Sequence, residues 1–253
     1  MGKAFKMMAL SSLVAFGCFW SACGNAGSAG ENPTSSTSNP FLSTWDTPYG
    51  LPDFDSVKVE HYRPAFDAGI AQQQEQIVKI ASSDEAPSFE NTMLEMENSG
   101  ALLRRVRNVF YALNGTMTND AMKAVAKEMA PILSAHGDEI KLNDALFQRL
   151  NTVYENRNDS GLDPVQIRLL EETHKSFVRS GALLQAAEKE TLKDLNKRLS
   201  LLTLQFGQNV LEETNSFEMI ITDKADLAGL PNGVIEAAAE TATKRGAPEG
   251  SWA

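Results

Sequence analysis

The sequence predicts a mainly α-helical, multi-helix fold with at most one short strand, near residues 217–222. Apolar residues recur at steps of three and four along most of the chain beyond residue 53, which is the spacing of an amphipathic helix. Only Phe217–Thr222, with the sequence FEMIIT, has the dense apolar run that is typical of a strand. The 253 residues are 42% hydrophobic and 22% charged, an ordinary composition for a globular protein.

Three helices are predicted in the first part of the folded region. The first covers His61–Ala81, the second Ser88–Leu113 and the third Thr118–Ile140, which Pro131 is expected to kink or divide. The second helix shows the clearest apolar stripe in the chain. Its members are Phe89, Met93, Met96, Leu103, Val106, Phe110 and Leu113.

A fourth helix is predicted at residues 144–156, and the signals for a fifth are unusually complete. Asp163 is a favoured N-cap, Pro164 suits the first helical position, and Gln166 stands where a capping box needs it. Gly181 is placed where that helix should stop or turn.

The longest predicted helix is Ala186–Thr214. Its apolar stripe consists of Leu192, Leu195, Leu199, Leu202, Phe206 and Val210. A coiled coil is the alternative, but Leu201 and Leu204 widen the stripe beyond a coiled-coil seam, which favours a helix packed inside a larger body. A turn at residues 230–233 then leads into a last helix at Val234–Lys244.

Residues 1–22 have the features of a signal peptide. Lys3 and Lys6 provide a positive start, and the apolar run at residues 7–20 is too short to span a bilayer comfortably. Small residues then precede Cys23, an order that resembles a bacterial lipoprotein signal. We therefore expect cleavage before Cys23 and attachment of lipid to it, which would place the protein outside the cytoplasm, at the periplasmic face of a membrane.

Trp20 departs from that lipoprotein pattern, in which an aliphatic residue usually stands three positions before the cysteine. The alternative is ordinary secretion as a soluble protein, with cleavage within residues 22–29. Cys18 and Cys23 are the only cysteines, and both lie in the signal region, so no disulfide is expected in the mature chain.

Residues 23–40 are predicted to be a disordered tether after the lipidated cysteine. The segment is built from Gly, Ser, Thr, Asn and Pro and has too little apolar surface to offset the entropy of ordering it. Residues 41–253 are then the helical domain. The formal net charge of −10 argues against a nucleic-acid partner, which would require clustered Lys and Arg.

Several short blocks of sequence occur in an order that indicates a known family. The blocks are NPFL at residues 39–42, HYRPAF at 61–66, SFENT at 88–92 followed by ENSG at 97–100, AP-LS-H at 130–136, LF-R at 146–149 and FVRSGA at 177–182. Together they resemble the N-terminal part of the thimet oligopeptidase and peptidyl-dipeptidase family of zinc metallopeptidases.

This resemblance implies two mostly helical lobes that flank a deep channel for short peptides. The N-terminal lobe forms one wall, whereas the C-terminal lobe holds zinc through an HExxH helix. No HExxH occurs here, and the three histidines are 75 and 38 residues apart. We therefore predict no catalytic, cofactor-binding or metal-binding residue in this chain, which reads as a portion truncated before the catalytic half.

The histidines have simpler interpretations than metal binding. His61 lies where the first helix begins and is expected to bond to the backbone there. His136 precedes Gly137 at an expected helix bend, and the same role is predicted for it. His174 lies in a polar segment and is expected to be solvated.

Two further patterns have competing explanations. A cluster of three arginines has the bidentate geometry to hold a peptide carboxylate, although structural ion pairs with acids such as Glu95 or Glu97 are favoured. The cluster consists of Arg104, Arg105 and Arg107. Residues 114–116 match a glycosylation sequon, but after a bacterial-type signal a tight turn is favoured.

The leading functional hypothesis is the channel-wall portion of an exported peptidase, with short peptides and the missing catalytic half as partners. The export signal favours the peptidyl-dipeptidase branch over the oligopeptidase branch. The alternative is a non-catalytic helical lipoprotein that binds peptides or a partner protein. A third hypothesis is a truncated gene or an incomplete sequence, which the uncapped ending at residues 250–253 favours over a domain evolved to stand alone.

Overall fold

The structure is a computed structural model that describes residues 39–253, and this region is built from helices. The predicted signal peptide and Cys23 lie outside the described residues. The helices are α1 (Val59–Ala81), α2 (Glu95–Asn98), α3 (Ala101–Thr116), α4 (Asp120–Lys141), α5 (Asp144–Glu155), α6 (Pro164–Arg179), α7 (Ala186–Ser216) and α8 (Asn232–Lys244). Within residues 39–253 no strand forms, which confirms the mainly α prediction.

The first hydrophobic core lies between α1, α3, α4 and the segment that precedes α1. Phe41 at the start of the described region is completely buried, and its ring lies 5.2 Å from that of Tyr62 on α1. Tyr62 and Phe66 both pack edge-on against Phe110 of α3, at centroid distances of 5.0 and 5.4 Å. The NPFL block is therefore an anchor, and Asn39 and Pro40 already belong to the folded region.

The second core lies between the end of α1, a π-helical turn at Phe89–Leu94, α5 and α6. Helix α1 is long enough to serve both cores, since its first half carries Phe66 and its second half carries Ile77. The apolar stripe predicted for one long helix is likewise shared. Phe89 and Met93 are in the second core, whereas the members after Gly100 are in the first.

The prediction of one continuous helix over residues 88–113 is wrong. The chain turns at Ser99–Gly100, where Gly100 adopts a left-handed conformation with φ of 66°. This positive φ favours glycine, and a Cβ at this position would also lie 2.4 Å from the side chain of Gln73 on α1, which would have to move. The break redirects the chain from the second core to the first.

Of the kink or division expected at Pro131, the division does not occur, because α4 continues from Asp120 to Lys141. Two smaller expectations also differ from the structure. Residues 114–116 form the last turn of α3 and not a tight turn. Residues 217–222 make only an isolated antiparallel bridge, in which Ile221 exchanges two backbone hydrogen bonds with Trp252.

The capping box and the stop predicted for the helix that begins at Pro164 are confirmed. Asp163 accepts hydrogen bonds from the backbone of residues 165 and 166, and Gln166 accepts one from the Asp163 N–H at 2.9 Å, completing the capping box. Helix α6 stops just before Gly181, which has a φ of 96°.

Helix α7 packs along α4, but its apolar stripe faces away from that contact. Leu199, Leu202 and Phe206 are 60%, 63% and 70% exposed, so within residues 39–253 this helix is not enclosed as the sequence suggested. None of the helices described between residues 39 and 253 is long and apolar enough to cross a membrane.

Candidate functional site

A polar cleft of about 560 Å³ lies along the outer face of α3. Arg104, Arg107, Asn108 and Tyr111 occupy one exposed face of the helix, because residues three, four and seven apart lie above one another. The opposite face of α3 supplies Val106 and other residues of the first core. The helix is thus held in place by its apolar side and presents a basic, hydrogen-bonding side to the cleft.

The floor of the cleft is a small hydrogen-bonded group from three segments. Gln73 of α1 donates from Nε2 to Ser99 Oγ at 3.2 Å, and its Oε1 faces Nε2 of His136, on α4, at 2.8 Å. Ser99 Oγ in turn donates to the carbonyl of Met96 at 2.7 Å. With Gln73 Oε1 as the acceptor, the proton of His136 lies on Nε2.

His136 does not lie at a helix bend, as the sequence suggested, but in the interior of α4 and almost fully buried. Burial lowers the pKa of its imidazole below the usual 6.5; Glu139 raises the pKa and the positive charge of Arg107 lowers it further. His136 is therefore neutral near pH 7, and it fixes the amide of Gln73 without adding charge to the cleft.

The arginine cluster divides into two groups. Arg105 donates to the carbonyl of Phe41, and its guanidinium lies 4.7 Å from the centre of the Trp45 ring, so it ties the N-terminal segment to α3. Arg104 and Arg107 form no ion pair within residues 39–253. The structural ion pairs expected for the cluster therefore do not form in the described region.

A second cleft, of about 280 Å³, shares Gln73 and Ser99 with the first. Its far side is mostly apolar and includes Met93 and Phe177. Lys141 borders it, with Nζ 4.1 Å from the centre of the Phe177 ring, and burial lowers the pKa of this ammonium group.

The three histidines do not come together. His61 accepts a hydrogen bond from the Lys58 N–H at the start of α1, as predicted. His174 is half-buried and not solvated as expected, because it stacks on Tyr154 at 3.9 Å and bonds to Asn151.

A catalytic zinc site needs about three protein ligands and an open position for water. Among residues 39–253, no group of three His, Cys, Asp or Glu side chains is arranged to hold a metal ion. The donors that the structure places do not fit the zinc implied by the family resemblance.

The sequence is similar to several bacterial peptidases. The chain is 41% identical over 210 residues to the dipeptidyl carboxypeptidase of Escherichia coli and 39% identical over 213 residues to that of Salmonella typhimurium. These alignments cover 83% and 84% of this chain. Oligopeptidase A of Haemophilus influenzae is 26% identical over 211 residues. The homologues of this chain are thus dipeptidyl carboxypeptidases and oligopeptidase A, which belong to the thimet oligopeptidase family.

The extent of the match is as informative as the family. The chain spans about 31% of the length of the two dipeptidyl carboxypeptidases. No family model matches the sequence. The resemblance inferred from the short sequence blocks is confirmed, including its restriction to a portion of the family's length.

Sequence reasoning found the arginines of the cleft but missed its floor. Gln73 lies within α1 and Ser99 in the turn before α3, and the sequence gives no sign that these two residues, 26 positions apart, form a hydrogen bond. Tyr111 could have been identified, since it follows Arg104 and Arg107 at helical spacing on the polar side of the stripe.

Proposed function

We propose that this chain is the N-terminal, channel-wall portion of an exported zinc metallopeptidase, of peptidyl-dipeptidase or oligopeptidase type, that acts on short peptides. Relatives named dipeptidyl carboxypeptidase and oligopeptidase A support the peptidase class. The higher identity to the dipeptidyl carboxypeptidases favours the peptidyl-dipeptidase branch.

The observation that carries the proposal is the apolar stripe of α7. Monomeric proteins rarely expose a long contiguous apolar surface, and such surfaces mark interaction sites. Leu199, Leu202 and Phe206 form such a surface on a helix whose other side is fixed to α4. The other two thirds of a family member would cover this stripe and close the channel opposite it.

The side chains of this chain assign it a different role from that of the zinc-binding part of a family enzyme. In a complete family enzyme, zinc would polarise the scissile carbonyl and activate water. The residues described in this chain cannot hold that ion, so their contribution is to bind and orient peptide along one wall. Binding that is equal in the ground and transition states does not raise kcat, so we expect no hydrolysis by the chain alone.

Complementation tests this proposal. The full chain is mixed with zinc and a quenched fluorescent peptide, with and without a separately produced remaining two thirds of the Escherichia coli dipeptidyl carboxypeptidase. We expect chelator-sensitive cleavage only in the mixture. One tightly bound zinc per chain together with turnover by the chain alone would contradict the proposal. Peptide binding without any complementation would favour the non-catalytic lipoprotein.

Export by a lipoprotein route is the second part of the proposal. It is supported by the order of basic, apolar and small residues before Cys23. Radiolabelled palmitate should label the wild-type protein and the Cys18→Ala variant, but not Cys23→Ala. The Cys18 variant controls for loss of a thiol from the signal region. Equal labelling of all three proteins, or none, would exclude lipid attachment at Cys23.

A further inference from the structure

Arg104 and Arg107 are a pair of cationic side chains available to a ligand. They are one helical turn apart on the exposed face of α3, so their Cβ atoms are about 5–6 Å from each other. Within residues 39–253 neither side chain donates to a carboxylate or to a carbonyl. Arg149, in contrast, donates to two carbonyls at 2.8 Å.

The acids near the cleft do not neutralise this pair. No carboxylate lines the 560 Å³ cleft. Glu139, whose charge influences His136, accepts a hydrogen bond from Gln74 at 2.7 Å and lies beyond ion-pair distance of Arg107. A chain with a net charge of −10 thus carries a local positive site.

The neutral groups of the cleft complement a small anion. Asn108 and Tyr111 add an amide and a hydroxyl donor beside the two guanidinium groups. Gln73 is held by hydrogen bonds to Ser99 and His136, and Ser99 also bonds to the carbonyl of Met96, so the floor is ordered before a ligand arrives. Such preorganisation reduces the entropy lost on binding.

The size and charge of the site favour one carboxylate on a small molecule. The cleft volume is within the range of small-ligand sites. Arginine forks pair with carboxylates through two parallel hydrogen bonds. The acidic chain would repel a polyanion such as a nucleic acid.

We propose that the α3 cleft binds the C-terminal carboxylate of a short peptide through Arg104 and Arg107. This inference rests on the proposed function, since it takes its ligand class from the peptide channel. The remainder of the peptide would extend from this anchor, and the cleft would select free C-termini over amidated ones and over internal chain segments.

The experiment measures binding of one short fluorescent peptide to the full chain, as the free acid and as the C-terminal amide. We expect the free acid to bind at least about tenfold more tightly, as charge-assisted hydrogen bonds predict. The Arg104→Gln/Arg107→Gln variant should lose this preference. The Arg179→Gln/Arg198→Gln variant removes the same charge from exposed sites elsewhere and should keep it.

Two competition measurements test whether the cleft recognises the C-terminal carboxylate or any anion. Inorganic phosphate, or an amidated peptide containing aspartate, should compete at least about tenfold more weakly than the free-acid peptide. Equal competition by either would show a general anion site and overturn the assignment to the C-terminus. Equal binding of acid and amide, binding insensitive to the double substitution, or no binding of either peptide would also overturn it. Complementation of hydrolysis is measured separately, so the proposed function can stand if the cleft assignment fails.

Discussion

Asn196 on α7 donates a hydrogen bond of 2.7 Å to the carboxylate of Asp138 on α4, which is only 8% exposed. The second oxygen of this carboxylate is buried and has no hydrogen-bond partner in the structure. This contact joins the two helices near the C-terminal end of α4. An ionised group in that position is costly, because burial disfavours the charged form.

The substitution Asp138→Asn should therefore stabilise the protein near neutral pH. Burial raises the pKa of Asp138 above its usual 3.8, whereas the hydrogen bond from Asn196 and the charge of Lys193 lower it. As the pH falls through the raised pKa, protonation of Asp138 increases the unfolding free energy of the wild type. This increase is complete once the pH is below 3.8, where the carboxyl of the unfolded chain is protonated too. We expect the variant to be about 1 kcal/mol more stable at pH 7 and no more stable at pH 3.5, measured by urea unfolding.

The variant Asn196→Ala is the control for this prediction. It removes the one hydrogen bond that supports the charged carboxylate, so it should be destabilising, and more so at pH 7 than at pH 3.5. A stabilising effect of Asn196→Ala at pH 7 would contradict the assigned contact.

The break at Gly100 makes a second prediction. Gly100→Ala forces an L side chain into a positive φ and drives its Cβ against Gln73, which is tied to His136 and Ser99. We expect a loss of about 2 kcal/mol in unfolding free energy. Gly137→Ala, inside α4, is the matched control, because its Cβ would meet no atom within 4 Å. This substitution should raise the unfolding free energy by about 0.5–1 kcal/mol. Thermal and urea unfolding of both variants would measure the difference.

The sequence predicted most helix ends because those signals are local. The capping box of Asp163 and Gln166 involves residues three apart, and it forms as expected. The break at Gly100 was missed because the apolar period continues across it. The break depends on the left-handed conformation of Gly100, of which the apolar period carries no sign.

The candidate site shows the same limit. The arginines of α3 were identified from the sequence, but their division into structural and available groups was not. Arg105 is fixed by Phe41 and Trp45, residues some sixty positions earlier. A helical pattern fixes which residues share a face, whereas the partners of that face are set by tertiary packing.

A third prediction concerns Arg149, which holds the loop between α1 and the π-helical turn. Its Nη1 donates to the carbonyls of Ser83 and Glu85, both at 2.8 Å, and its Nη2 donates to Asn91 at 3.1 Å. Arg149→Met would remove the donor from the two carbonyls and the contact that fixes the loop to α5. We expect a loss of about 3 kcal/mol in urea unfolding.

Arg168→Met provides the comparison for that measurement. Arg168 pairs with Glu172 at 3.0 Å on the surface of α6, with its side chain 70% exposed. Exposed pairs at this spacing contribute only about 0.3–0.5 kcal/mol. Equal losses of unfolding free energy from the two substitutions would refute the role of Arg149 in holding this loop.

The last prediction is that the exposed stripe of α7 makes the isolated chain self-associate. When a contiguous row of exposed apolar side chains meets a second apolar surface, water is excluded from both. This burial favours association by roughly 25 cal/mol per Å² of apolar surface. The variant Leu199→Gln/Leu202→Gln/Phe206→Gln should remain monomeric at concentrations where the wild type associates, as sedimentation velocity would show.

The same three substitutions should change the unfolding free energy by no more than about 0.5 kcal/mol, because they remove no buried contact. Leu204→Gln is the matched control on the same helix, since this residue packs against the first core. It should lower the unfolding free energy by about 2 kcal/mol and leave association intact. If instead the triple variant unfolds as easily as Leu204→Gln, the stripe contributes to the fold of this chain, and its assignment as the surface for the missing part of the enzyme is wrong.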